Sequence, residues 1–495
     1  MIVLGVNSVY HESSAALIRD GKVLAAVEEE RFNRRKHAKP ARVDNADDLP
    51  VAAIDFCLRQ AGITGADVEA VAYSFDPQLR RQLFRPDPLS LPGDWGSEDG
   101  EAAFLAGLDR VTGRLSATLG ADVTDRVRWV PHHVAHAASA YYPSGFDSAG
   151  VLVADGVGET ATTVLFAGSG GRLTKLEELH YPDSLGFVWE KLSVFLGFSE
   201  YDACKVMGLA GAVGRAPARH PPEPEPLPGG WCRLELRRQL PGQGARPGPG
   251  HLRAAAPHDA GTAVGAALHV AHTEQASVVT GPATTYLGPG YSDEEILAAV
   301  EAAGLTARWS PDVASEAARL VAGGSVVGWF QGRMELGPRA LGNRSLLADP
   351  RDPGIRETLN RKVKHREDFR PFAPSVLAEE AGAWFELGRP SLAYASMLFT
   401  CPVRKDKAHR IPAVLHVDGT ARVQTVDAAD NPRYHRLISA FADLTGVPMV
   451  LNTSFNDSEP IVCSPVDALR TFLSTRIDAV ALSNYLVERP HVSQR

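Results

Sequence analysis

Cysteine, positive charge and long apolar runs are all scarce in this chain of 495 residues. None of its five cysteines forms a Cys-x-x-Cys pair, which argues against a disulfide framework or a cysteine-type zinc site. Apolar runs such as 151–154 are far too short to span a membrane, and the first residues lack the basic segment and cleavage site of a secretory signal. We therefore expect a cytoplasmic protein without a membrane partner. The cysteines are Cys57, Cys204, Cys232, Cys401 and Cys463.

The charge balance excludes a general nucleic-acid binder. Lys and Arg number 51 against 59 Asp and Glu, which gives a formal net charge of −8. A protein with a negative net charge has no general attraction for the phosphate backbone of nucleic acids, although it can still carry a local basic patch. Hydrophobic residues make up 44% and charged residues 22% of the chain, as in globular proteins and unlike disordered or fibrous ones.

Strand and helix patterns alternate along the chain. An Asp20-Gly21 turn between two β-prone segments predicts an opening hairpin, and the alternation that follows predicts an α/β fold. The predicted strands are 2–7, 13–18, 23–27, 127–130, 150–154 and 325–329, and the predicted helices are 51–58, 101–119, 132–142, 263–272, 293–303 and 312–321.

Residues 211–253 differ from the rest of the chain. Pro and Gly supply 17 of these 43 residues, against 80 of 495 overall, and Ser, Thr, Asp, Asn, Lys, Ile, Phe, Tyr and Met do not occur. A flexible linker is one interpretation, but linkers normally carry Ser, Thr, Asp or Lys. The other is a frame error in a GC-rich gene, because Ala, Gly, Pro and Arg supply 28 of the 43 residues.

Two histidines and two aspartates form a candidate metal site. His132 and His136 share one helix face if the predicted helix forms, and this spacing is a common metal half-site, although surface or capping histidines show it too. Asp155 follows a predicted strand, and Asp259 precedes a predicted helix. Two imidazoles with one or two carboxylates suit Fe(II), Mn(II) or Zn(II).

Two further groups of residues in the N-terminal half are weaker candidates for a functional site. Gly156 and Gly158 follow the same strand as Asp155, where they permit either close approach to a phosphate or a plain tight turn. His11 stands beside Glu12 in the opening hairpin. This pair predicts a base or a phosphate contact, and an ordinary turn histidine is the alternative.

The third group is a basic, glycine-bracketed region at 333–370. It holds ten Lys and Arg against six Asp and Glu, and guanidinium groups bind phosphates bidentately. A basic surface face is the alternative interpretation. Polar turns at 418–422 and 452–456 add amide, hydroxyl and guanidinium groups that fit nucleotide contacts. The candidate phosphate ligands of the region are Arg339, Arg344, Lys364 and Arg370.

Taken in order along the chain, these strings resemble the O-carbamoyltransferase family of antibiotic and nodulation-factor biosynthesis. The resemblance covers nearly everything except 211–253. It rests on the opening hairpin with Glu28-Glu29-Glu30-Arg31-Phe32, and on the strings at 132–137, 155–159, 205–210, 259–265, 288–292, 334–345, 369–374, 418–423 and 452–456.

The resemblance implies an α/β protein with two domains. Residues 1–310 would form a two-lobed actin/hexokinase-like (ASKHA) domain similar to tRNA threonylcarbamoyl transferases, and residues 311–495 a YrdC-like adenylating domain. Carbamoyl phosphate and ATP would give carbamoyl-adenylate in the second domain, with release of phosphate and pyrophosphate. The first domain would then transfer the carbamoyl group to a hydroxyl of a small-molecule natural product, in secondary metabolism.

The resemblance also implies roles for individual residues. The metal, Fe(II) or another divalent ion, would be held by His132, His136, Asp155 and Asp259, and His11 and Lys36 would act in the transfer. Carbamoyl phosphate and ATP, with Mg(II), would be bound by residues of the second domain in addition to Gly156 and Gly158. Those residues are Arg339, Asn343, Arg344, Lys364, Arg370, Arg422, Asn452 and Ser454.

The chain departs from the family pattern at two places. Glu12 stands where the family usually has Asp, and the Gly-Gly-x-Ala-Leu-Asn loop expected before Asp259 is absent. A damaged or non-catalytic relative that still binds nucleotide and metal is therefore the competing interpretation. Carbamoylation of tRNA or of a protein cysteine is disfavoured, because the chain lacks basic and aromatic RNA-binding runs and a zinc-finger or acylphosphatase-like segment.

Overall fold

The computed structural model describes residues 1–88, 90–196, 235–237, 256–275, 284–366, 370–387 and 392–489. The chain divides into two compact units, Met1–Ala283 and Thr284–Arg495, and each has its own sheets and buried core. Strands and helices alternate in both, which confirms the predicted α/β class. The atypical segment 211–253 lies outside the described residues except for 235–237.

A five-stranded mixed sheet opens the first unit, in the order β3-β2-β1-β4-β5. Strands β1 and β2 are antiparallel and place Ile2 opposite Arg19, whereas β1 with β4 and β4 with β5 are parallel. Asp20 and Gly21 both have positive φ, 49° and 74°, as a two-residue hairpin turn requires. The strands are β1 Ile2–Asn7, β2 Ser14–Arg19, β3 Lys22–Glu28, β4 Ala70–Tyr73 and β5 Val127–Trp129.

A second, antiparallel sheet of the first unit has the order β8-β7-β6-β9. Its strand β6 alternates buried and partly buried side chains after the exposed Ser148, so that one face packs against the core. The β6–β7 pairing runs from Ser148 opposite Ser169 to Ala154 opposite Thr163, and Asp155 follows directly. The strands are β6 Ser148–Ala154, β7 Ala161–Ser169, β8 Arg172–His180 and β9 Glu235–Arg237.

Two helices of the first unit pack unusually close together. A Cβ on Gly265 of α7 would lie 1.8 Å from the carbonyl oxygen of Ala135 in α5, and one on Gly5 of β1 would lie 1.9 Å from that of Ala263. Only glycine permits these approaches, which bring the start of α7 beside α5. The helices are α1 Glu30–Asn33, α2 Val51–Ala61, α3 Pro77–Leu83, α4 Glu98–Leu119, α5 His132–Tyr141, α6 Leu185–Phe195 and α7 Ala260–Glu274.

The second unit is built on an eight-stranded mixed sheet, in the order β10-β19-β18-β11-β12-β17-β13-β16. Its strand β11 is buried throughout and includes Trp329, which is fully inaccessible. A separate two-stranded sheet joins β14 to β15. The strands are β10 Arg308–Trp309, β11 Val327–Phe330, β12 Arg344–Ala348, β13 Ala373–Leu377, β14 Thr400–Pro402, β15 Thr420–Arg422, β16 Gln424–Val426, β17 Met449–Ser454, β18 Ala479–Leu482 and β19 Tyr485–Glu488.

The helices of the second unit pack against one another and against this sheet. Helix α8 packs against α14, and β10 pairs with β19, so residues before 310 belong to the second compact unit. The expected boundary at residue 310, between a transfer domain and an adenylating domain, stays a prediction. The helices are α8 Asp293–Ala302, α9 Val313–Ala322, α10 Ile355–Leu359, α11 Ala381–Trp384, α12 Leu392–Ala395, α13 Pro432–Thr445 and α14 Pro465–Ser474.

Among the described residues, no helix combines the length and apolar character needed to cross a membrane.

Candidate metal centre and substrate sites

Helix α5 brings two imidazoles to one buried point. His132 and His136 lie one helical turn apart, and their Nε2 atoms are 3.1 Å from each other. The Nδ1 atom of His132 lies 3.2 Å from the carbonyl oxygen of Ser74. A hydrogen bond donated there leaves Nε2 as the atom that can bind a metal, which is the usual arrangement around a ligating histidine.

Two carboxylates complete the group from different elements. Asp155, directly after β6, places Oδ2 3.1 Å from His132 Nε2 and 3.8 Å from His136 Nε2. Asp259, directly before α7, places Oδ1 3.8 and 3.5 Å from the same two nitrogen atoms. All four ligand atoms lie within 4.8 Å of one another. The structure thus brings together the four residues predicted to bind the metal.

The donor set fits a divalent cation. Two imidazoles and two carboxylates are ligands for Fe(II), Mn(II) or Zn(II), and two buried negative charges need a positive partner. Burial by itself would lower the pKa of His132, but the hydrogen bond to Asp155 and the charge of Asp259 raise it to about 9. Burial opposes the ionised form of Asp155, yet the neighbouring imidazoles hold its pKa below the usual range. The site therefore strongly attracts positive charge.

Residues without a local motif hold this centre in place. The Oε1 atom of Glu159 accepts hydrogen bonds from the backbone N–H groups of His132 and Asp76, both at 2.9 Å. Burial raises the pKa of Glu159. The hydroxyl of Tyr10 donates to the carbonyl oxygen of Gly158 at 2.7 Å, and its ring lies edge-on to that of His132. No spacing in the sequence indicates these partners, because each contact is made between distant segments.

The turn that carries Gly156 and Gly158 belongs to the β6–β7 hairpin. The N–H of Gly156 donates to Asp155 Oδ1 at 2.6 Å, which leaves Oδ2 facing the histidines. The N–H of Gly158 donates to the carbonyl oxygen of Ala161 at 2.8 Å. These contacts place both glycines beside the candidate metal centre, and their phosphate-binding role stays a prediction.

The two predicted transfer residues lie in one region of the first unit. The ring centroids of His11 and His37 are 5.8 Å apart, and Lys36 is the exposed neighbour of His37. Burial and the charge of Lys36 oppose protonation of His37. Its pKa is nevertheless raised, because the hydrogen bond to Glu12 and the charges of Glu12 and Glu30 together outweigh them. Sequence reasoning did not single out His37.

In the second unit, the glycine-bracketed loop is organised around a carboxylate of the chain itself. The Oε1 atom of Glu335 accepts hydrogen bonds from the N–H groups of Leu341, Asn343 and Arg344, at 2.7, 2.7 and 3.2 Å. The side chain of Asn343 is bound to Arg333 and Asn431. These backbone donors are therefore directed at Glu335 in the structure.

Arg344 lies inside the protein, where the prediction placed it on a bound phosphate. It is fully buried, and its NH1 and NH2 atoms donate to the carbonyl oxygens of Gln331 at 2.6 Å and Pro289 at 2.9 Å. The guanidinium carbon lies 3.7 Å from the ring centroid of Phe330. The structure therefore gives Arg344 a structural role and directs its guanidinium away from solvent.

Other predicted nucleotide ligands are held at the end of β17. Lys364 Nζ donates to Ser454 Oγ at 3.2 Å, and to Asn456 Oδ1 at 2.6 Å. Asn452 is buried and donates to Ala340, Ser375 and Gln424. Arg339, Arg370 and Arg422 have half-buried side chains. Their contacts with phosphate stay predictions.

Comparison with known proteins identifies the family. Residues 2–217 match the family described as Carbamoyltransferase N-terminus, and residues 318–489 match Carbamoyltransferase C-terminus. The chain is 36% identical to nodulation protein NolNO of Sinorhizobium fredii, over 98% of this chain and 80% of that protein. The chain belongs to the carbamoyltransferase family. It is therefore a transferase, as its sequence predicted.

Other relatives of this carbamoyltransferase match over different lengths. An uncharacterized protein of Synechocystis is 34% identical over 100% of this chain and 97% of its own length. The 3'-hydroxymethylcephem-O-carbamoyltransferase of Amycolatopsis lactamdurans is 41% identical over 40% of this chain and 36% of that enzyme. The match to YeaZ from Pseudomonas aeruginosa covers 37% of this chain and 67% of that one at 16% identity, and its TM-score of 0.23 is too low to support an argument.

The matches bear on the atypical segment of this family member. The N-terminal match ends at residue 217 and the C-terminal match begins at 318, so Asp259 lies outside both. The match to the Synechocystis protein extends over 626 positions, although this chain has 495 residues. The relative therefore carries additional residues within the matched region. Asp259 is assigned to the candidate metal centre by geometry, without help from the family matches.

Proposed function

We propose that this carbamoyltransferase forms carbamoyl-adenylate from carbamoyl phosphate and ATP, and transfers the carbamoyl group to a hydroxyl of a small molecule. Membership of the family supports carbamoyl transfer, and the cephem relative is named as an enzyme that transfers the group to oxygen. The observation that carries the proposal is the convergence of His132, His136, Asp155 and Asp259, since a divalent ion held there could stabilise the negative charge that develops during carbamoyl transfer.

The first unit would carry out the transfer. A divalent ion, which we propose to be Fe(II), would polarise an oxygen and stabilise developing negative charge when bound. Four residues would hold it, and Ser74 and Glu159 would keep His132 in place. The acceptor hydroxyl oxygen would attack the carbamoyl carbon, and AMP would leave with the electrons of the broken bond. His11 would accept the hydroxyl proton, and Lys36 would stabilise the departing phosphate.

The second unit would form the adenylate with the release of phosphate and pyrophosphate. Lys364 with Ser454, together with Arg339, Arg370 and Arg422, would contact the phosphates, and Mg(II) would accompany ATP. Gly156 and Gly158 would approach nucleotide in the first unit. We propose an actin/hexokinase-like fold for residues 1–310 and a YrdC-like fold for residues 311–495. We also propose that the reaction takes place in the cytoplasm, as part of the synthesis of an antibiotic-type metabolite.

The test is release of pyrophosphate from ATP by the purified protein. We expect release only when carbamoyl phosphate and ATP are both present. An Arg422→Met variant should lose it, whereas Arg361→Met, at an exposed ion pair with Glu357, should retain it. A folded protein that releases no pyrophosphate with both reagents would contradict the proposed activity.

A second candidate is a relative that binds nucleotide and metal without completing the transfer. The departure at 211–253 and the end of the N-terminal match at 217 favour it. It predicts pyrophosphate release without a carbamoylated product for any hydroxyl acceptor tested. Resequencing the gene separates the two cases further, because a corrected reading frame would restore the expected loop and remove the reason for this candidate.

A further inference from the structure

A second group of metal-binding side chains lies in the first unit, outside the four-residue centre. His11, Glu12 and His37 each offer one ligand atom, and these atoms lie within 4.8 Å of one another. The Oε1 atom of Glu12 is 3.3 Å from Nδ1 of His37. Two imidazoles and one carboxylate are the protein ligands of many catalytic divalent-metal sites, in which further positions stay open to water or substrate.

The second oxygen of Glu12 is an independent sign of a ligand. Glu12 is only 6% exposed, and within the described part of the chain its buried Oε2 atom has no hydrogen-bond partner. That oxygen lies 3.6 Å from Nε2 of His258. A buried carboxylate oxygen without a hydrogen bond is costly, and a bound cation would remove that cost.

The backbone holds these ligands in place. The N–H of Glu12 donates to the carbonyl oxygen of His37 at 2.8 Å, and the N–H of His37 donates to Glu30 Oε2 at 2.7 Å. Asn7 Nδ2 lies 3.3 and 3.2 Å from the carbonyl oxygens of His11 and Glu12. Segments distant in sequence are therefore joined before any ion binds, which lowers the cost of ordering the ligands.

Three carboxylates lie among the contacts of the group. Arg31 is engaged with Glu28 at 3.1 Å and with Glu30 at 2.5 Å, so its charge is already balanced. Glu28 also lies 3.8 Å from Nε2 of His258, which adds negative charge on the inner side. Lys36 is exposed, and its charge opposes protonation of His37. Glu12, Glu28 and Glu30 thus place three carboxylates among the contacts of the group.

We propose that His11, Glu12 and His37 form a second divalent-cation site of the Fe(II), Mn(II) or Zn(II) class. His258 would support it by facing Glu12, while the next residue, Asp259, belongs to the four-residue centre. An ion there would present open positions toward a hydroxyl or phosphate oxygen. The site does not rest on the reaction proposed above, but it shares His11 with it. With an ion bound, the ion and not the imidazole would activate the acceptor hydroxyl.

Titration with Co²⁺ tests the proposal without any substrate. The full-length protein, stripped with a chelator, should bind two ions per chain by calorimetry and by Co²⁺ absorption. Glu12→Gln and His37→Asn should each lose the second ion or weaken it at least about 10-fold, and should keep the first. A double variant, His132→Asn with Asp259→Asn, should show the reverse. His409→Asn, which removes an exposed imidazole of the second unit, should bind two ions.

One bound ion that is lost only in the double variant would overturn the second site and leave the four-residue centre intact. Two ions that persist unchanged in both Glu12→Gln and His37→Asn would overturn it as well. Circular dichroism of each variant shows whether it has folded. If one of these two variants is misfolded, the other, which changes a different element of the group, decides the result.

Discussion

Arg344 is a fully buried cation whose partners are main-chain oxygens and one aromatic ring. Its guanidinium joins the segment at Pro289 to the strand end at Gln331. Burial lowers its pKa, yet an arginine remains protonated under ordinary conditions. The side chain thus acts as an internal cross-link of the loop that Glu335 organises, and its removal leaves several carbonyl oxygens without a donor.

Replacement of Arg344 should destabilise the protein. We expect Arg344→Met to lower the free energy of unfolding by about 2–5 kcal/mol, because buried oxygens lose their donors. Urea denaturation followed by circular dichroism measures this. Arg361→Met removes an exposed guanidinium paired with Glu357 and should change the value by no more than about 0.5 kcal/mol. Equal effects of the two changes would contradict the structural role of Arg344.

His416 should contribute to the pH dependence of stability. Burial, followed by the charge of Arg422, lowers its pKa to about 4 from 6.5. The unfolded chain therefore binds more protons between these values, and stability rises with pH through this window. We expect His416→Gln to reduce the gain in unfolding free energy between pH 5 and pH 7 by on the order of 1 kcal/mol. Urea denaturation at pH 5 and at pH 7 measures the two unfolding free energies. If their difference is the same in the variant, His416 does not contribute to the pH dependence of stability.

At the scale of elements, the contact between α5 and α7 decides whether Asp259 reaches the histidines. Gly265 makes that contact possible, since its missing side chain would overlap Ala135. A change at this contact therefore acts on a candidate metal ligand, Asp259, six residues away. Such a change would move α7 and with it Asp259, without altering any of the four candidate ligands.

Gly265→Ala should separate the two helices. We expect a loss of about 1–3 kcal/mol in unfolding free energy, together with weaker binding of Co²⁺ at the four-residue centre. Gly113→Ala is the matched control, because that exposed glycine of α4 has nothing near its missing side chain. The control should stabilise the protein by up to about 1 kcal/mol. Isothermal titration with Co²⁺ and thermal unfolding give both readouts, and undiminished Co²⁺ binding by Gly265→Ala would contradict the role of the contact.

Most elements near the candidate site could be predicted from the sequence, because their signals are local. The Asp20-Gly21 turn predicts the opening hairpin, and the Ala-rich repeat of α5 predicts the helix that carries the first two candidate metal ligands. Long-range contacts could not be predicted in the same way. Glu335 accepts donors from residues up to nine positions away, and His258 meets Glu12 from the other end of the first unit. Such pairings depend on tertiary packing, which leaves no periodic pattern in the sequence.

At the scale of the whole molecule, the two units hold separate parts of the proposed reaction. The candidate metal ligands belong to Met1–Ala283, and the basic residues predicted to bind phosphate belong to Thr284–Arg495. Each unit has its own buried core. A change that damages one set of side chains should therefore leave the other set folded.

The two half-reactions should be separable by substitution. We expect His132→Asn with His136→Asn to retain pyrophosphate release that depends on carbamoyl phosphate, and to lose carbamoyl transfer by at least about 100-fold. Arg422→Met should lose both, because transfer needs the adenylate. Measuring pyrophosphate and carbamoylated product in the same reaction tests this. Loss of pyrophosphate release in the histidine variant would show that the two sites do not act separately.

Asp155 and Asp259 are far apart in the sequence, and this separation affects the entropy of forming the candidate metal centre. A cation held by both closes a loop of about a hundred residues. The entropy of closing such a loop changes with the logarithm of its length, so that doubling it costs only about 0.6 kcal/mol. Chain can thus be added or removed between these two ligands with little effect on assembly of the centre.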